Sequence, residues 1–369
     1  MRPFTLLIKP VSADCNLRCP YCFYLGHEGF YPEERAPRMS DATLERIVAG
    51  YMATDQPQHV FAWQGGEPTL MGTEFFRRVT ELQMRHGRAG SVVANGVQTN
   101  ATRITDELAR HFGEYRFLVG VSLDGPSDLH DRYRRNAAGR GSHAEVMGGI
   151  DRLRRHGVEF NILTLVSDAN VRKPREVYRY LLENRFLFHQ YIPCVESDGS
   201  GKPQPFSIGG EGWGEFLCGI YDLWIAGDTR RVSVRLFDSI LNALVDGRPS
   251  ICHMDRDCRQ YFAIEYNGDV FPCDFYVERP LKLGNVFEHS WEDLWDRPAF
   301  ASFGRRKAEW NPSCEGCPYL PLCAGDCLKH RGDGALSRLC AGWKRFYDHA
   351  LPGFRGLAEE IRRERIRTP

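Results

Sequence analysis

The chain has 369 residues, enough to bury a large core as one big domain plus a smaller one. Its 48 basic and 48 acidic residues balance, so no global field argues for a nucleic acid or an anionic membrane as partner; the basic stretches 132–135 and 362–367 are local. No apolar run reaches the length of a membrane span, and Phe4–Ile8 is too short for a signal-peptide core, so a soluble, cytoplasmic protein is expected. Thirteen cysteines is a high and odd count, which in a reducing compartment points to metal ligation rather than a disulfide framework. Three stand near the start, eight lie between Cys252 and Cys340, and only Cys194 and Cys218 are alone, as one open cluster and two fully ligated ones would require.

From Phe4 to about Cys194, short apolar runs alternate with amphipathic windows. Strands are expected at Phe4–Ile8, Val60–Trp63, Ser91–Val97, Phe117–Ser122, Glu159–Leu165 and Phe186–Ile192. Helices are expected at Ser40–Met52, Thr73–His86, Thr105–Phe112, Ser142–His156 and Pro174–Asn184. Six strand-then-helix units with right-handed crossovers imply an α/β fold, a partial (β/α)6 parallel barrel over residues 1–195. Chemistry in such barrels sits at the C-terminal ends of the strands. The unusual loops of this sequence all follow strands.

The first of these loops reads Cys15-Asn-Leu-Arg-Cys19-Pro-Tyr-Cys22-Phe-Tyr24. Thiolates at Cys-x3-Cys-x2-Cys spacing can hold three corners of a cubic [4Fe-4S] cluster and leave the fourth iron open to a substrate. A zinc knuckle would want a nearby fourth ligand, and the next cysteine is Cys194. The triplet and the aromatic two residues on resemble the radical S-adenosylmethionine (SAM) superfamily. That resemblance implies an open iron chelated by the amino and carboxylate groups of SAM, and reductive release of a 5'-deoxyadenosyl radical.

The second loop, Gln64-Gly65-Gly66-Glu67-Pro68, follows strand two; paired glycines let a backbone approach a ligand, and a peptide edge there can meet the SAM ammonium. The third strand ends in Gln98-Thr-Asn100 and the fourth in Ser122-Leu-Asp124-Gly125-Pro126, where Ser122 can meet the ribose or carboxylate of SAM while Asp124-Gly-Pro makes a turn. One arginine of Arg132-Tyr-Arg134-Arg135 can clamp a carboxylate in two parallel hydrogen bonds. Val195, after strand six, is placed to pack on the adenine. Cys194 reads as an inert buried thiol and Cys218 as packing within the helical window Trp213–Ile225.

A Gly/Pro/Ser-rich connector begins at Glu196 and leads, through helical windows Trp213–Ile225 and Phe237–Val245, into the second cysteine group at 251–350, followed by a helical tail at 351–369. There Cys252-x5-Cys258 precedes an Asn267-Gly268 hairpin signal that brings Cys273 back toward Cys258. Strand alternation then aims Cys273 and Asp274 to opposite sides, Asp274 toward the barrel mouth. Cys314-x2-Cys317-x5-Cys323-x3-Cys327-x12-Cys340 completes the eight. Four thiolates for each of two clusters leave no open iron and suit electron transfer. Two four-cysteine zinc sites would satisfy this group taken alone.

The cysteine-rich region resembles the SPASM type of auxiliary-cluster domain. Together with Gln64-Gly-Gly-Glu-Pro-Thr-Leu70, Ser122-Leu-Asp-Gly-Pro126 and Pro272-Cys-Asp-Phe-Tyr276, nearly the whole chain is similar to the anaerobic sulfatase-maturating enzymes. The resemblance implies two auxiliary [4Fe-4S] clusters, one held by Cys252, Cys258, Cys273 and Cys327 and the other by Cys314, Cys317, Cys323 and Cys340, making three with the triplet. It implies SAM contacts at Tyr21, Gly66, Ser122, Arg134 and Val195, and a catalytic Asp274. It further implies oxidation of a cysteine or serine in a nascent sulfatase to Cα-formylglycine, with hydrogen abstraction at Cβ, Asp274 as proton acceptor, and an external donor of flavodoxin or ferredoxin type. A monomer without nucleic-acid or membrane partners is expected. Two rival readings are a SPASM-type maturase that crosslinks or cleaves another peptide, and a non-catalytic metal scaffold. An early barrel start, within four residues of Met1, counts against the leader-binding domain that such maturases often carry.

Overall fold

The structure, a computed structural model, describes residues 2–27, 29–32, 35–331 and 336–367. It divides into two compact units, one of Met1–Leu123, His130–Asn161 and Arg259–Gly304, the other of Asp124–Leu129, Ile162–Cys258 and Arg305–Pro369. The strands among the described residues are β1 (Thr5–Lys9), β2 (His59–Trp63), β3 (Val93–Thr99), β4 (Leu118–Ser122), β5 (Phe160–Val166), β6 (Phe188–Pro193), β7 (Ser233–Val234), β8 (Tyr261–Glu265), β9 (Asp269–Phe271) and β10 (Gly284–Asn285). All six expected barrel strands are present as β1 to β6, each within a few residues of its expected limits. The α/β class and the mostly parallel pairing follow.

In the first unit the strand order is β10-β9-β8-β1-β2-β3-β4, parallel from β8 to β4 and antiparallel through β9 and β10. β1 is buried from Leu6 to Lys9, the continuous burial of a parallel strand covered on both faces. The helix Asp41–Met52 starts where Ser40 Oγ accepts the Thr43 N–H at 3.1 Å, and Asp106–Glu114 starts where Thr105 Oγ1 accepts that of Leu108 at 3.1 Å. Ser142 does not cap the helix His143–Arg155; its hydroxyl donates to the Arg134 carbonyl at 2.9 Å. Phe4 anchors the core, its ring 5.3 Å from Tyr51 and 5.2 Å from Phe262. Each such buried side chain contributes about 1.5–3 kcal/mol.

The Asn267-Gly268 hairpin forms as expected, Gly268 taking φ 87° between β8 and β9. Its first strand does something the sequence did not announce. β8 pairs in parallel with β1, in register from Thr5↔Tyr261 to Lys9↔Glu265. The late hairpin therefore lies on the edge of the sheet that opens the chain.

In the second unit β5, β6 and β7 pair in parallel, beside helices Pro174–Glu183, Gly210–Ile225 and Arg235–Asp246. A helix from Cys340 to Arg367, with Pro352 inside it, spans the expected start of the tail at 351. It seats Phe354 5.0 Å from Tyr221 and Phe346 5.7 Å from Phe237. Among the described residues no helix is long and apolar enough to cross a membrane.

Candidate functional site

The segment leading into Cys15 is fixed by the glycine loop after β2. Gly66 N–H donates to the Ser12 carbonyl at 2.7 Å and Glu67 N–H to the Asp14 carbonyl at 2.8 Å. A Cβ on Gly66 would lie 1.9 Å from the Asp14 oxygen, and Gly65, at φ 109°, would place one 2.7 Å from that of Ser12. The two glycines thus serve a close backbone approach, but first to the chain's own cysteine loop. Among the described residues no donor is found for the Gly65 or Gly66 carbonyl.

Gly66→Ala is expected to cost more than the roughly 1–3 kcal/mol of ordinary overpacking, because backbone rather than a flexible side chain must move. Gly227→Ala, where nothing lies within 4 Å, is expected to stay within about 0.5 kcal/mol. Urea midpoints of the two variants check the contrast.

Glu67 is 0% exposed and its carboxylate is fully engaged within the loops. Oε1 accepts from Thr69 Oγ1 at 2.6 Å and Thr99 Oγ1 at 2.7 Å, and Oε2 from the Asn100 N–H at 2.7 Å. Burial pushes this carboxyl above its usual range while the Thr69, Thr99 and Asn100 donors oppose the shift. Its side chain ties the β2 and β3 loops together. The same network reaches the cysteines, because Asn100 Nδ2 lies 3.0 Å from Asn16 Oδ1 and 3.7 Å from Cys15 Sγ.

Burial, followed by the nearby Glu67 charge, pushes the Cys15 thiol up to about 12. Yet its sulfur accepts the Leu17 N–H at 3.4 Å as well as the Asn100 amide, which is donation suited to a thiolate. Coordination to a metal resolves the conflict, since it deprotonates a thiol outright. The site therefore fits a cluster. Cys19 and Cys22 follow in a turn closed by Cys22 N–H to the Cys19 carbonyl at 2.9 Å.

Tyr21 is buried, with the Arg134 guanidinium 5.5 Å from its ring centroid. The arginine segment is itself tied to the cysteine loop, through Arg18 N–H to the Arg135 carbonyl at 2.7 Å and a bridge between Leu17 and Asn136. Ser122 closes β4 and is buried. Asp124, in the second unit, accepts the Leu165 N–H at 3.0 Å and so has a structural duty beyond its turn. Val195 is buried behind β6 in that unit. Neighbouring Cys194 is 1% exposed, and burial, then the Glu196 charge, pushes its thiol up to about 12, as an inert residue would be.

Cys273 and Asp274 do find different partners, though not by strand alternation. β9 ends at Phe271, and an extended Cys273 leads into a 3-10 turn, Asp274–Tyr276. Cys273 Sγ lies 3.1 Å from the Tyr261 hydroxyl. Asp274, 4% exposed, turns toward the β1 and β2 loops: Oδ2 accepts from Tyr24 Oη at 2.5 Å and from Gln64 Nε2 at 2.9 Å. Lys9 Nζ stands 3.4 Å from Oδ1 and 2.5 Å from Glu265 Oε1. Burial alone would lower Lys9, but Glu265 and Asp274 outweigh it and raise it, so the ammonium persists. Burial and the Asp274 charge hold Tyr24 well above the usual tyrosine range, keeping it a donor.

Lys9, Glu265 and the Asn100 side chain were not anticipated as site residues. A signal existed for the first two: each is a charge ending an otherwise apolar, buried strand.

In the second unit Cys314, Cys317, Cys323 and Cys340 line one cavity with about 330 Å³ of empty volume, open solvent included, together with Trp343 and Lys344. The sulfur-rich lining fits a four-thiolate cluster. Burial raises Cys258 and Cys323 to about 12 each. Among the described residues no three Cys, His, Asp or Glu side chains are gathered tightly enough for a single ion. A cubic cluster is larger and spreads its cysteines over separate irons.

Residues 10–181 match the Radical SAM superfamily and 245–318 an iron-sulfur cluster-binding domain of the SPASM type. A serine-type anaerobic sulfatase-maturating enzyme of Bacteroides thetaiotaomicron is 35% identical over 98% of this chain and 92% of its own. A cysteine-type enzyme of Clostridium perfringens is 34% identical over 98% of this chain and 100% of its own. The solved structure of native anSMEcpe with bound AdoMet and Kp18Cys peptide superposes with a TM-score of 0.90, at 33% identity, over 97% of this chain and 100% of that one. With its cysteine triplet, its four-cysteine cavity and relatives matched over almost their whole length, the chain belongs to the anaerobic sulfatase-maturating enzymes, radical SAM oxidoreductases that use SAM and [4Fe-4S] clusters.

Proposed function

We propose that the protein oxidises a cysteine or serine side chain of a sulfatase polypeptide to Cα-formylglycine, with Asp274 taking the proton from the thiol or hydroxyl. The observation that carries the second half is the asymmetry of the Asp274 carboxylate. Oδ2 is held by Tyr24 and Gln64, whereas Oδ1 has the Lys9 ammonium as its partner, at the longer distance of 3.4 Å. That oxygen has a lone pair to receive a proton, and its partner oxygen fixes its direction.

When bound, the cofactors supply a hydrogen-abstracting radical and an acceptor for the second electron. The side chains do the rest. The single Lys9 ammonium is shared between the Glu265 and Asp274 carboxylates, all three buried, and so fixes where Asp274 sits. Protonation of Oδ1 leaves the Tyr24 and Gln64 bonds to Oδ2 intact, so the loop geometry survives turnover. A serine target would give the aldehyde directly. A cysteine target would give a thioaldehyde that water hydrolyses.

In this reading Cys15, Cys19 and Cys22 hold the SAM-binding cluster, and Tyr21, Gly66, Ser122, Arg134 and Val195 hold SAM, with the backbone of the Gln64–Glu67 loop receiving its ammonium group. The auxiliary clusters take Cys252, Cys258, Cys273 and Cys327, and Cys314, Cys317, Cys323 and Cys340. The enzyme acts in the cytoplasm as a monomer and draws its first electron from a flavodoxin or ferredoxin.

The test is anaerobic reconstitution with two peptides that differ only in Cys or Ser ahead of a Pro and an Arg, read by mass spectrometry. An aldehyde on at least one peptide is expected. SAM cleavage with neither peptide oxidised would sink the sulfatase assignment.

A further inference from the structure

Lys307 is 0% exposed, and among the described residues it forms no ion pair. Its ammonium donates to the Ala324 carbonyl, a neutral partner. A fully buried cation held only by a backbone oxygen is unfavourable unless an anion stands nearby. Burial, then the like-charged Arg331, lower its pKa, while Cys258, the buried Asp326 carboxylate and Cys327 oppose the shift; Cys252 and Cys323 feel its charge as well.

The turn that Lys307 grips is unusual. Ala324, Gly325 and Asp326 take φ 47°, 71° and 60°, three successive left-handed residues between Cys323 and Cys327. Isolated non-glycine residues visit this region at a cost, and consecutive ones persist only when surroundings hold them. Arg331 supplies the hold, with Nε 2.9 Å from the Gly325 carbonyl and one terminal nitrogen 3.2 Å and 3.3 Å from those of Ala324 and Asp326. Asp326 Oδ1 takes the Cys327 N–H at 2.7 Å, which fixes the outgoing cysteine. Lys307 thus sits on a rigid peptide arch with a cysteine at each foot. On the ligand sets proposed above, those feet belong to different auxiliary clusters.

We propose that Lys307 is the buried counter-charge of the auxiliary clusters and holds their reduction potentials up. A cluster with four thiolates is anionic, and one more electron makes it more so. A fixed cation in a low-dielectric surrounding stabilises the reduced form more than the oxidised one. The inference rests on the auxiliary-cluster reading, and the iron count separates the two.

The experiment is an EPR-monitored potentiometric titration of the full-length, reconstituted protein carrying Cys15→Ala, Cys19→Ala and Cys22→Ala, which leaves only auxiliary signals. Lys307→Gln keeps a donor for Ala324 and removes the charge. It is expected to make reduction about tenfold less favourable, a shift of about 59 mV to more negative potential for a one-electron couple. Lys307→Arg is expected to stay near the unsubstituted midpoint. Loss of auxiliary iron in Lys307→Gln but not in Lys307→Arg would equally support a required charge. An unshifted midpoint at full iron content would overturn the role of Lys307. Equal shifts, or equal iron loss, in both variants would reduce it to packing. A protein with Lys307 intact and no auxiliary iron would overturn the cluster reading and this inference with it.

Discussion

Asp274→Ala is expected to keep its auxiliary iron and to cleave SAM, while aldehyde formation falls by about 10²- to 10⁴-fold, the usual loss when a positioned base is removed. The alanine leaves Tyr24 and Gln64 without their acceptor and Lys9 with Glu265 as its remaining carboxylate partner, so a modest loss of stability accompanies the loss of rate. Asp274→Asn separates the effects. Its amide oxygen can still accept from Tyr24 and Gln64, but the nitrogen opposite has no lone pair for a proton and faces the Lys9 ammonium. Peptide oxidation measured beside 5'-deoxyadenosine yield should therefore fall as far in Asn as in Ala. Full oxidation by either variant would remove Asp274 from the role of base.

Cys15→Ala, Cys19→Ala and Cys22→Ala are each expected to abolish 5'-deoxyadenosine production, since two thiolates do not retain a cube that already lacks a fourth protein ligand. The cavity lined by Cys314, Cys317, Cys323 and Cys340 is far along the chain and should keep its iron. Reconstituted protein should then show a reduced but substantial iron content with no SAM turnover. Normal cleavage in any of the three would refute the open-cluster reading. The Gly66→Ala contrast probes the same loop from the other side, by pushing on the backbone that presents Cys15.

Much of this site could be read locally. Three cysteines within eight residues state their chemistry through spacing alone, because a short loop must bring them together. Asn267-Gly268 dictated a hairpin, and Ser40 and Thr105 each capped a helix, since these effects act within three or four residues. Ser142 stands before the helix His143–Arg155 without capping it, its hydroxyl donating to the Arg134 carbonyl eight residues back. Gly65 and Gly66 signalled a close approach without saying to what. The nearest neighbour is the Ser12–Asp14 backbone.

What the sequence determined by itself is the kind of chemistry: an open iron at one end, eight further thiols at the other, and a run of strands and helices between them. Tertiary structure alone decided which residues surround the Asp274 carboxylate. Tyr24 and Asp274 are 250 positions apart and share a hydrogen bond because β8 joins the free edge of β1 in parallel, which sets Lys9 beside Glu265 and brings the turn after β9 onto the loops of β1 and β2. Edge pairing of this sort leaves no local mark, since any apolar strand can serve any open edge. Lys307 is legible only in the same way, as a lysine among many until its complete burial sets it apart.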